Sequence, residues 1–452
     1  MKRYRVRPGG PLRGSVSVPG DKSIGHRTLL FGALAEGTST VRGLSQGLDN
    51  EATASALRAM GVKLEFAVRD NGLRDARIEG VGLRGLQMPK GSIDCGNSGT
   101  TMRLLAGILA AQEFGVRLLG DASLSRRPMK RIVEPLRARG AHISGMKGAK
   151  EGEHYAPLSI APLLQGERLT GLRFDSPIAS AQVKSAVLLS GLYADGPTIV
   201  YEPTVSRDHT ERMMLALGVP LEASGSIASL DPSRWGGSWK GFDWDVPGDL
   251  SSAAFLIAAA LIVPGSELRI RSVGGNPTRT GFIDALRLSR IPLTLIPKGD
   301  LAGHEPVSDI FVEAAPLFAM RVGGELLTRM IDEVPILAVL AAAAHGRTEI
   351  RDADELRTKE SDRIQAMHRT LRAFGADATE LQDGLTIHGG AKLTAATVES
   401  EGDHRIAMSA VVLALIAEGE SIINDVACVE TSFPGFSATL RTLGANVIEE
   451  DV

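Results

Sequence analysis

Six segments of the chain are apolar on nearly every helical face and open on a short polar stretch. They are "DKSIGHRTLLFGALAEG", "GNSGTTMRLLAGILA", "SPIASAQVKSAVLLSGLYADG", "GDLSSAAFLIAAALIVPG", "IDEVPILAVLAAAAHG" and "EGDHRIAMSAVVLALIAEG". A helix without a polar face has to be buried, so these six are predicted as inner helices. Each is followed by a second helical pattern that does keep a polar face and ends on one recurring phrase. The phrase begins at Leu57, Leu136, Met214, Leu286, Leu371 and Leu440, at intervals of 79, 78, 72, 85 and 69 residues. Four positions into it stand Gly61, Gly140, Gly218, Arg290, Gly375 and Gly444. The phrase is the last turn of an amphipathic helix, a glycine C-cap and entry into a strand. Intervening stretches such as "GVRLLG", "TIVYEP" and "LTIHGG" have strand character. The chain is therefore read as six helix/strand units, each about 70–80 residues long.

Six units divide as three and three, with a break at "GFDWDVPGDLSS", Gly241–Ser252. The expected fold is α/β, with two domains of approximate threefold internal symmetry. One domain covers 21–245 and carries the early anion-binding motifs. The other covers 1–20 plus 246–452, because the first strand, "YRVRPGG", precedes the first unit and is free to pair with the far half.

Composition narrows the function classes. A chain of 452 residues with 43% hydrophobic and 23% charged residues is ordinary for a soluble globular protein. The net charge of −3 supplies no basic field for nucleic acid or an anionic membrane. The longest apolar run, from Ala253, is too short to span a bilayer, and the start "MKRYRVRPGG" lacks an apolar targeting segment. Cys95 and Cys428 stand far apart and form neither a disulfide framework nor a metal-ligand spacing. A reducing, cytoplasmic setting is expected.

The candidate chemistry lies at the mouths of the inner helices. A helix N-terminus has unpaired N–H groups and a partial positive charge, which suits phosphate and carboxylate. Here the mouths add side chains to that field: Lys22, Ser23 and Arg27; Asn97, Ser98, Thr100 and Arg103; Ser180, Gln182 and Lys184; His404 and Arg405. Capping by Ser, Asn or Asp accounts for any single mouth, but several cationic mouths point to a ligand with several anionic groups. "GNSGTTMR" fits neither the P-loop nor the GxGxxG pattern, so nucleotide binding has little support. Asp332 and Glu333, at the start of an apolar helix, read either as caps or as a general base. "ELRTKESDRI", with Arg357, Lys359, Glu360 and Arg363, reads either as a solvated helix start or as a charged site. No nucleophile motif or metal-like histidine spacing stands out, so acid–base and electrostatic chemistry is expected, without metal or cofactor.

These motifs resemble those of the 5-enolpyruvylshikimate-3-phosphate synthase family. The matching stretches are "PGDKSIGHR", "DCGNSGTTMRLLAG", "GDASLSRRPM", "IASAQVKSAVLL", "IDEVP", "RTKESDR", "GDHRIAM" and "TSFPGF", in family order from residue 19 to 436. The resemblance implies a two-domain inside-out α/β barrel, built from six similar units with threefold pseudo-symmetry in each domain. It implies 3-phosphoshikimate 1-carboxyvinyltransferase activity in the shikimate pathway to chorismate and the aromatic amino acids. By motif match, shikimate 3-phosphate meets Lys22, Ser23, Arg27, Ser180, Ser206, Asp332 and Lys359. Phosphoenolpyruvate meets Lys22, Gly99, Arg127, Gln182, Arg363 and Arg405. Lys22, Asp332 and Glu360 are the implied catalytic residues, with Asp332 as base and Glu360 as carbon acid. The family also implies inhibition by glyphosate, and a monomer is expected.

Ser98, Leu104, His209, Glu355 and Thr431 depart from the pattern of many members and place the chain in a divergent bacterial-type branch. They leave roles for Arg207, His209 and Glu355 open. A competing reading is UDP-N-acetylglucosamine enolpyruvyl transferase, whose family pairs the early Lys with Asn and carries a catalytic Cys before the Arg-Pro. Here Ser23 follows Lys22, and "GDASLSRRPM" has no Cys. A non-catalytic anion-binding repeat protein is the other alternative, and the presence of Lys22, Arg127, Asp332, Glu360 and Arg405 argues against it.

Overall fold

The structure, a computed structural model, describes residues 2–69, 72–148, 151–301 and 303–451. The six apolar segments fold as the helices α1 (Lys22–Leu34), α2 (Gly99–Leu109), α3 (Ala181–Gly191), α4 (Leu250–Ile262), α5 (Val334–Ala343) and α6 (His404–Ala414). In α4 every residue from Leu250 to Leu261 is buried, and in α6 all eleven are. Burial on all faces demands small contact residues where helices meet. At Gly107 a Cβ would lie 2.3 Å from the Ala186 carbonyl oxygen, so only glycine lets α2 approach α3 this closely.

Six four-stranded sheets accompany the helices, and all six share one strand order. In each, an edge strand pairs in parallel with its neighbour, and that neighbour pairs antiparallel with the next strand. One sheet runs Asp243–Asp245, Glu36–Leu44, Arg74–Val81, Lys63–Val68. Another closes the two ends of the chain together: Lys2–Arg7 lies between Ser421–Asn424 and Asn446–Asp451, antiparallel to both.

The recurring phrase has the same geometry in all six units. Gly61, Gly140, Gly218, Arg290, Gly375 and Gly444 all have positive φ, between 58° and 109°. The next residue donates its N–H back to the first residue of the phrase in every case, from Val62 to Leu57 at 3.1 Å through Ala445 to Leu440 at 3.0 Å. These are six Schellman caps. Arg290 adopts the same left-handed conformation (φ 58°) without being glycine.

The chain separates into two compact units. Unit one comprises Met1–Pro19, Pro247–Gly299 and Pro306–Val452; unit two comprises Gly20–Val246 and Asp300–Glu305. Each has its own hydrophobic core, three of the inner helices and three of the sheets. The short segment 300–305 stands with unit two although its flanking strands belong to unit one. Its carboxylate Glu305 bonds the His209 ring at 2.6 Å, both side chains being buried, and Arg212 donates to the His304 carbonyl at 3.0 Å.

Candidate active site

In unit two the mouths of α1, α2 and α3 gather cations, hydroxyls and amides. Asp21 caps α1 by accepting the Ile24 N–H at 2.9 Å, which leaves Lys22 and Ser23 on the first turn. Lys22 Nζ pairs with Asp49 at 2.8 Å. One turn further, Arg27 donates to Thr210 Oγ1 and Ser185 Oγ, each at 2.7 Å, and to the Ser23 carbonyl at 2.9 Å. Burial lowers its pKa to about 10, with Glu211 and Asp21 pulling the other way.

The mouth of α2 is capped by Ser98, which accepts the Thr101 N–H at 3.2 Å. Gly99 follows, and two guanidinium groups stand over it. A Cβ there would lie 2.5 Å from Arg103 Nη1 and 3.4 Å from Arg127 Nη1. Arg103 donates to Gln182 Oε1 at 2.7 Å, and Gln182 donates to Thr100 Oγ1 at 2.9 Å. Arg127 donates to Asn97 Oδ1 at 2.6 Å and Ser123 Oγ at 3.2 Å. Gly99, Arg127 and Gln182 thus share one cluster with Arg103. A chain of hydroxyls ties α1 to α2: the His26 ring contacts Thr53 at 2.7 Å, Thr53 contacts Thr101 at 2.7 Å, and Thr101 donates to Ser98 Oγ at 2.8 Å. Burial, then Lys22 and Arg27, hold His26 well below its ordinary pKa, so the ring is neutral.

Below these mouths, Lys184 meets Glu202 and Glu211, each at 2.7 Å, with all three side chains buried. The carboxylates outweigh the burial that opposes its charge, and its pKa is raised.

Unit one is arranged differently, around Arg363. This fully buried guanidinium pairs with Asp403 at 2.8 Å, Glu360 at 2.6 Å and Asp332 at 3.4 Å. Burial opposes its charge, but the three carboxylates prevail and raise its pKa; the same pairing outweighs burial at Asp403 and lowers it. Asp403 also caps α6 by accepting the Arg405 N–H at 2.9 Å. Arg405 in turn donates to the Asp332 backbone carbonyl at 2.8 Å. Glu333, wholly buried, accepts the Ser251 hydroxyl and lies 3.8 Å from both Arg279 and Arg405. Lys359 pairs with Glu355 at 2.6 Å.

The candidate base Asp332, the candidate acid Glu360, Arg363 and Arg405 are therefore brought together within unit one. Lys22, Ser23, Arg27, Gly99, Arg127, Ser180, Gln182 and Ser206 fall in unit two. Sequence reasoning missed Arg279, Glu202 and Glu211. The latter two had a signal: a lysine inside the apolar run "AQVKSAVLL" requires buried counter-charge. Neither cysteine offers a nucleophile: both are unpaired, and burial pushes both thiols up to about 12.

The chain is a two-unit α/β protein built from six repeats, with polar and cationic helix mouths in one unit and carboxylates gathered on Arg363 in the other. Residues 6–440 match the family EPSP synthase (3-phosphoshikimate 1-carboxyvinyltransferase), and the chain belongs to that family. It is 50% identical over 441 residues to the 3-phosphoshikimate 1-carboxyvinyltransferase of Geotalea uraniireducens, covering 98% of this chain and 99% of that one. It is 52% identical over 431 residues to the enzyme of the same name from Syntrophotalea carbinolica, covering 95% and 96% of the two. Among solved structures, an EPSP synthase from Acinetobacter baumannii superposes with a TM-score of 0.86 at 42% identity, covering 100% of both chains.

Proposed function

We propose that the chain transfers the enolpyruvyl group of phosphoenolpyruvate to the 5-hydroxyl of shikimate 3-phosphate, giving 5-enolpyruvylshikimate 3-phosphate and phosphate. Both substrates carry a phosphate and a carboxylate, which suits the cationic mouths of unit two. Asp332 takes the proton from the 5-hydroxyl, and Glu360 protonates the methylene carbon of phosphoenolpyruvate. The 5-oxygen bonds to the adjacent carbon, giving a tetrahedral intermediate. Loss of a proton from the new methyl group and of phosphate from that carbon yields the product. Lys22, Arg127, Arg363 and Arg405 offset the charge that develops. Lys22, Ser23, Arg27, Ser180, Ser206, Asp332 and Lys359 hold shikimate 3-phosphate. Lys22, Gly99, Arg127, Gln182, Arg363 and Arg405 hold phosphoenolpyruvate, and glyphosate competes at that second site.

The observation that carries this reading is the grouping of Asp332 and Glu360 on one buried arginine, at 3.4 and 2.6 Å. That arrangement supports reading Asp332 and Glu360 as a base and an acid that act together, each oriented by Arg363. No described helix is long and apolar enough to cross a membrane, and we assign a cytoplasmic monomer acting on small molecules, with neither nucleic acid nor membrane as partner. The test is phosphate release on mixing with phosphoenolpyruvate and shikimate 3-phosphate. Release with UDP-N-acetylglucosamine instead would favour the other enolpyruvyl transferase, and release with neither would favour a binding protein.

A further inference from the structure

Burying Lys184 with two glutamates is expensive, because charges lose their hydration and a packed apolar trio would fill the space as well. What the charged trio supplies is backbone anchorage. Glu202 Oε1 accepts the Ser180 N–H at 3.0 Å, and Oε2 accepts the Ser206 N–H at 3.4 Å. Lys184 Nζ donates to the Ser206 carbonyl at 3.4 Å. The two serine-bearing turns, far apart in sequence, are thus held by one side chain, and Ser206 is held through both its N–H and its carbonyl.

Neither serine hydroxyl takes part in this anchorage. Ser180 is the N-cap residue of α3, an eleven-residue helix, yet its side chain makes no capping bond. Ser206 is 6% exposed, and its Oγ has no hydrogen-bond partner. A buried hydroxyl without a partner is destabilising unless something else completes it. The buried, unpartnered Ser206 hydroxyl and the half-buried Ser180 hydroxyl, which does not cap its helix, stand on backbones bonded to one carboxylate and fit the oxygens of a phosphate.

We propose that Glu202, fixed by Lys184, is a positioning residue that sets Ser180 and Ser206 for the phosphate of shikimate 3-phosphate without touching the substrate. This rests on the reading that the two serines hold that ligand. Glu202→Gln retains the shape but offers one acceptor where two N–H groups need one each. Its dissociation constant for shikimate 3-phosphate should rise roughly 10- to 100-fold, as expected for lost charged hydrogen bonds. The constant for unphosphorylated shikimate, kcat, and KM for phosphoenolpyruvate should stay within about threefold, since only the phosphate subsite is disturbed. Glu202→Asp, which keeps the charge but withdraws the carboxylate by one methylene, is read the same way if the glutamine variant does not fold.

The Ser180→Ala/Ser206→Ala double variant should show the same loss of affinity for shikimate 3-phosphate. Adding Glu202→Gln to it should cost less than about threefold more, because coupled residues do not add. Equal weakening of shikimate and shikimate 3-phosphate would overturn the proposal, and so would a full Glu202→Gln effect in the serine-less background. If the double variant alone binds shikimate 3-phosphate normally, the serine reading itself is wrong, which separates the two failures.

Discussion

The two units repeat one architecture and surround the arginines at their helix mouths with different partners. In unit two, Arg27, Arg103 and Arg127 donate to hydroxyls of Thr210, Ser185 and Ser123, to amides of Gln182 and Asn97, and to backbone carbonyls. In unit one, Arg279, Arg363 and Arg405 lie against the carboxylates of Asp249, Asp332, Glu333, Glu360 and Asp403. Arg363 pairs with three of those carboxylates, Asp332, Glu360 and Asp403. The difference teaches that the repeat supplies the helix mouth in both units, and that side chains brought by other elements decide what surrounds each arginine there.

The largest expected effect lies in unit one. Asp332→Asn should lower kcat by roughly 100- to 10,000-fold, the range for removing a general base. Steady-state phosphate release measures it, and a kcat within a factor of a few of wild type would move the base elsewhere. Unit two should respond through affinity instead. Gly99→Ala places a methyl against Arg103 and Arg127, whose guanidinium groups leave only 2.5 and 3.4 Å for it. The longer glyphosate should suffer more than the natural substrate, so its inhibition constant should rise more than KM for phosphoenolpyruvate. Equal changes in both constants would remove the steric account.

Acid should also distinguish the units. His26 in unit two is held well below 6.5, so its unfolded form takes up a proton that the folded form refuses. Stability should therefore fall as pH drops below about 6.5, by at most roughly 1.4 kcal/mol per pH unit for one group. Asp403 in unit one has its pKa held below 3.8, so its contribution is complete above that value and is lost only as pH falls further. Urea unfolding between pH 7 and 5 should show the first loss, and His26→Gln should flatten it. An unchanged slope in that variant would assign the acid sensitivity to another group.

How much of this was legible in the sequence depended on distance along the chain. The Schellman caps were, because a positive-φ residue, a capping carbonyl and the leucine that packs beneath lie within six positions. Arg290 shows the motif surviving without its glycine. The helix mouths were legible for the same reason, as with Asp21, Lys22, Ser23 and Arg27. The common strand order of the six sheets was not, since pairings such as Asp243–Asp245 with Glu36–Leu44 join segments distant along the chain; only the pairing of the first strand with the far half was anticipated. Arg279, Glu202 and Glu211 escaped because their partners come from other elements. So did the placement of 300–305 with unit two, which follows from contacts to His209 and Arg212.

The smallest expected effect tests the repeat itself. Arg290 sits at φ 58° where the five equivalent positions have glycine. A left-handed non-glycine residue costs about 1–2 kcal/mol, and glycine returns part of that in unfolded-state entropy. Arg290→Gly should stabilise the protein by up to about 1 kcal/mol in urea unfolding. Destabilisation would mean that the Arg290 side chain contributes more than its backbone strain removes.

The division between recognition and proton transfer is tested most directly by Glu360→Gln, with shikimate 3-phosphate binding and phosphate release measured on the same preparation. Glu360 belongs to the arginine-bound group of unit one, and its loss should leave the mouths of unit two intact. The account predicts phosphate release slowed at least about 100-fold, as for a lost general acid, with the dissociation constant for shikimate 3-phosphate within about threefold of wild type. Near-normal release would contradict the assignment of the acid, and a parallel loss of binding would contradict the separation of the two roles.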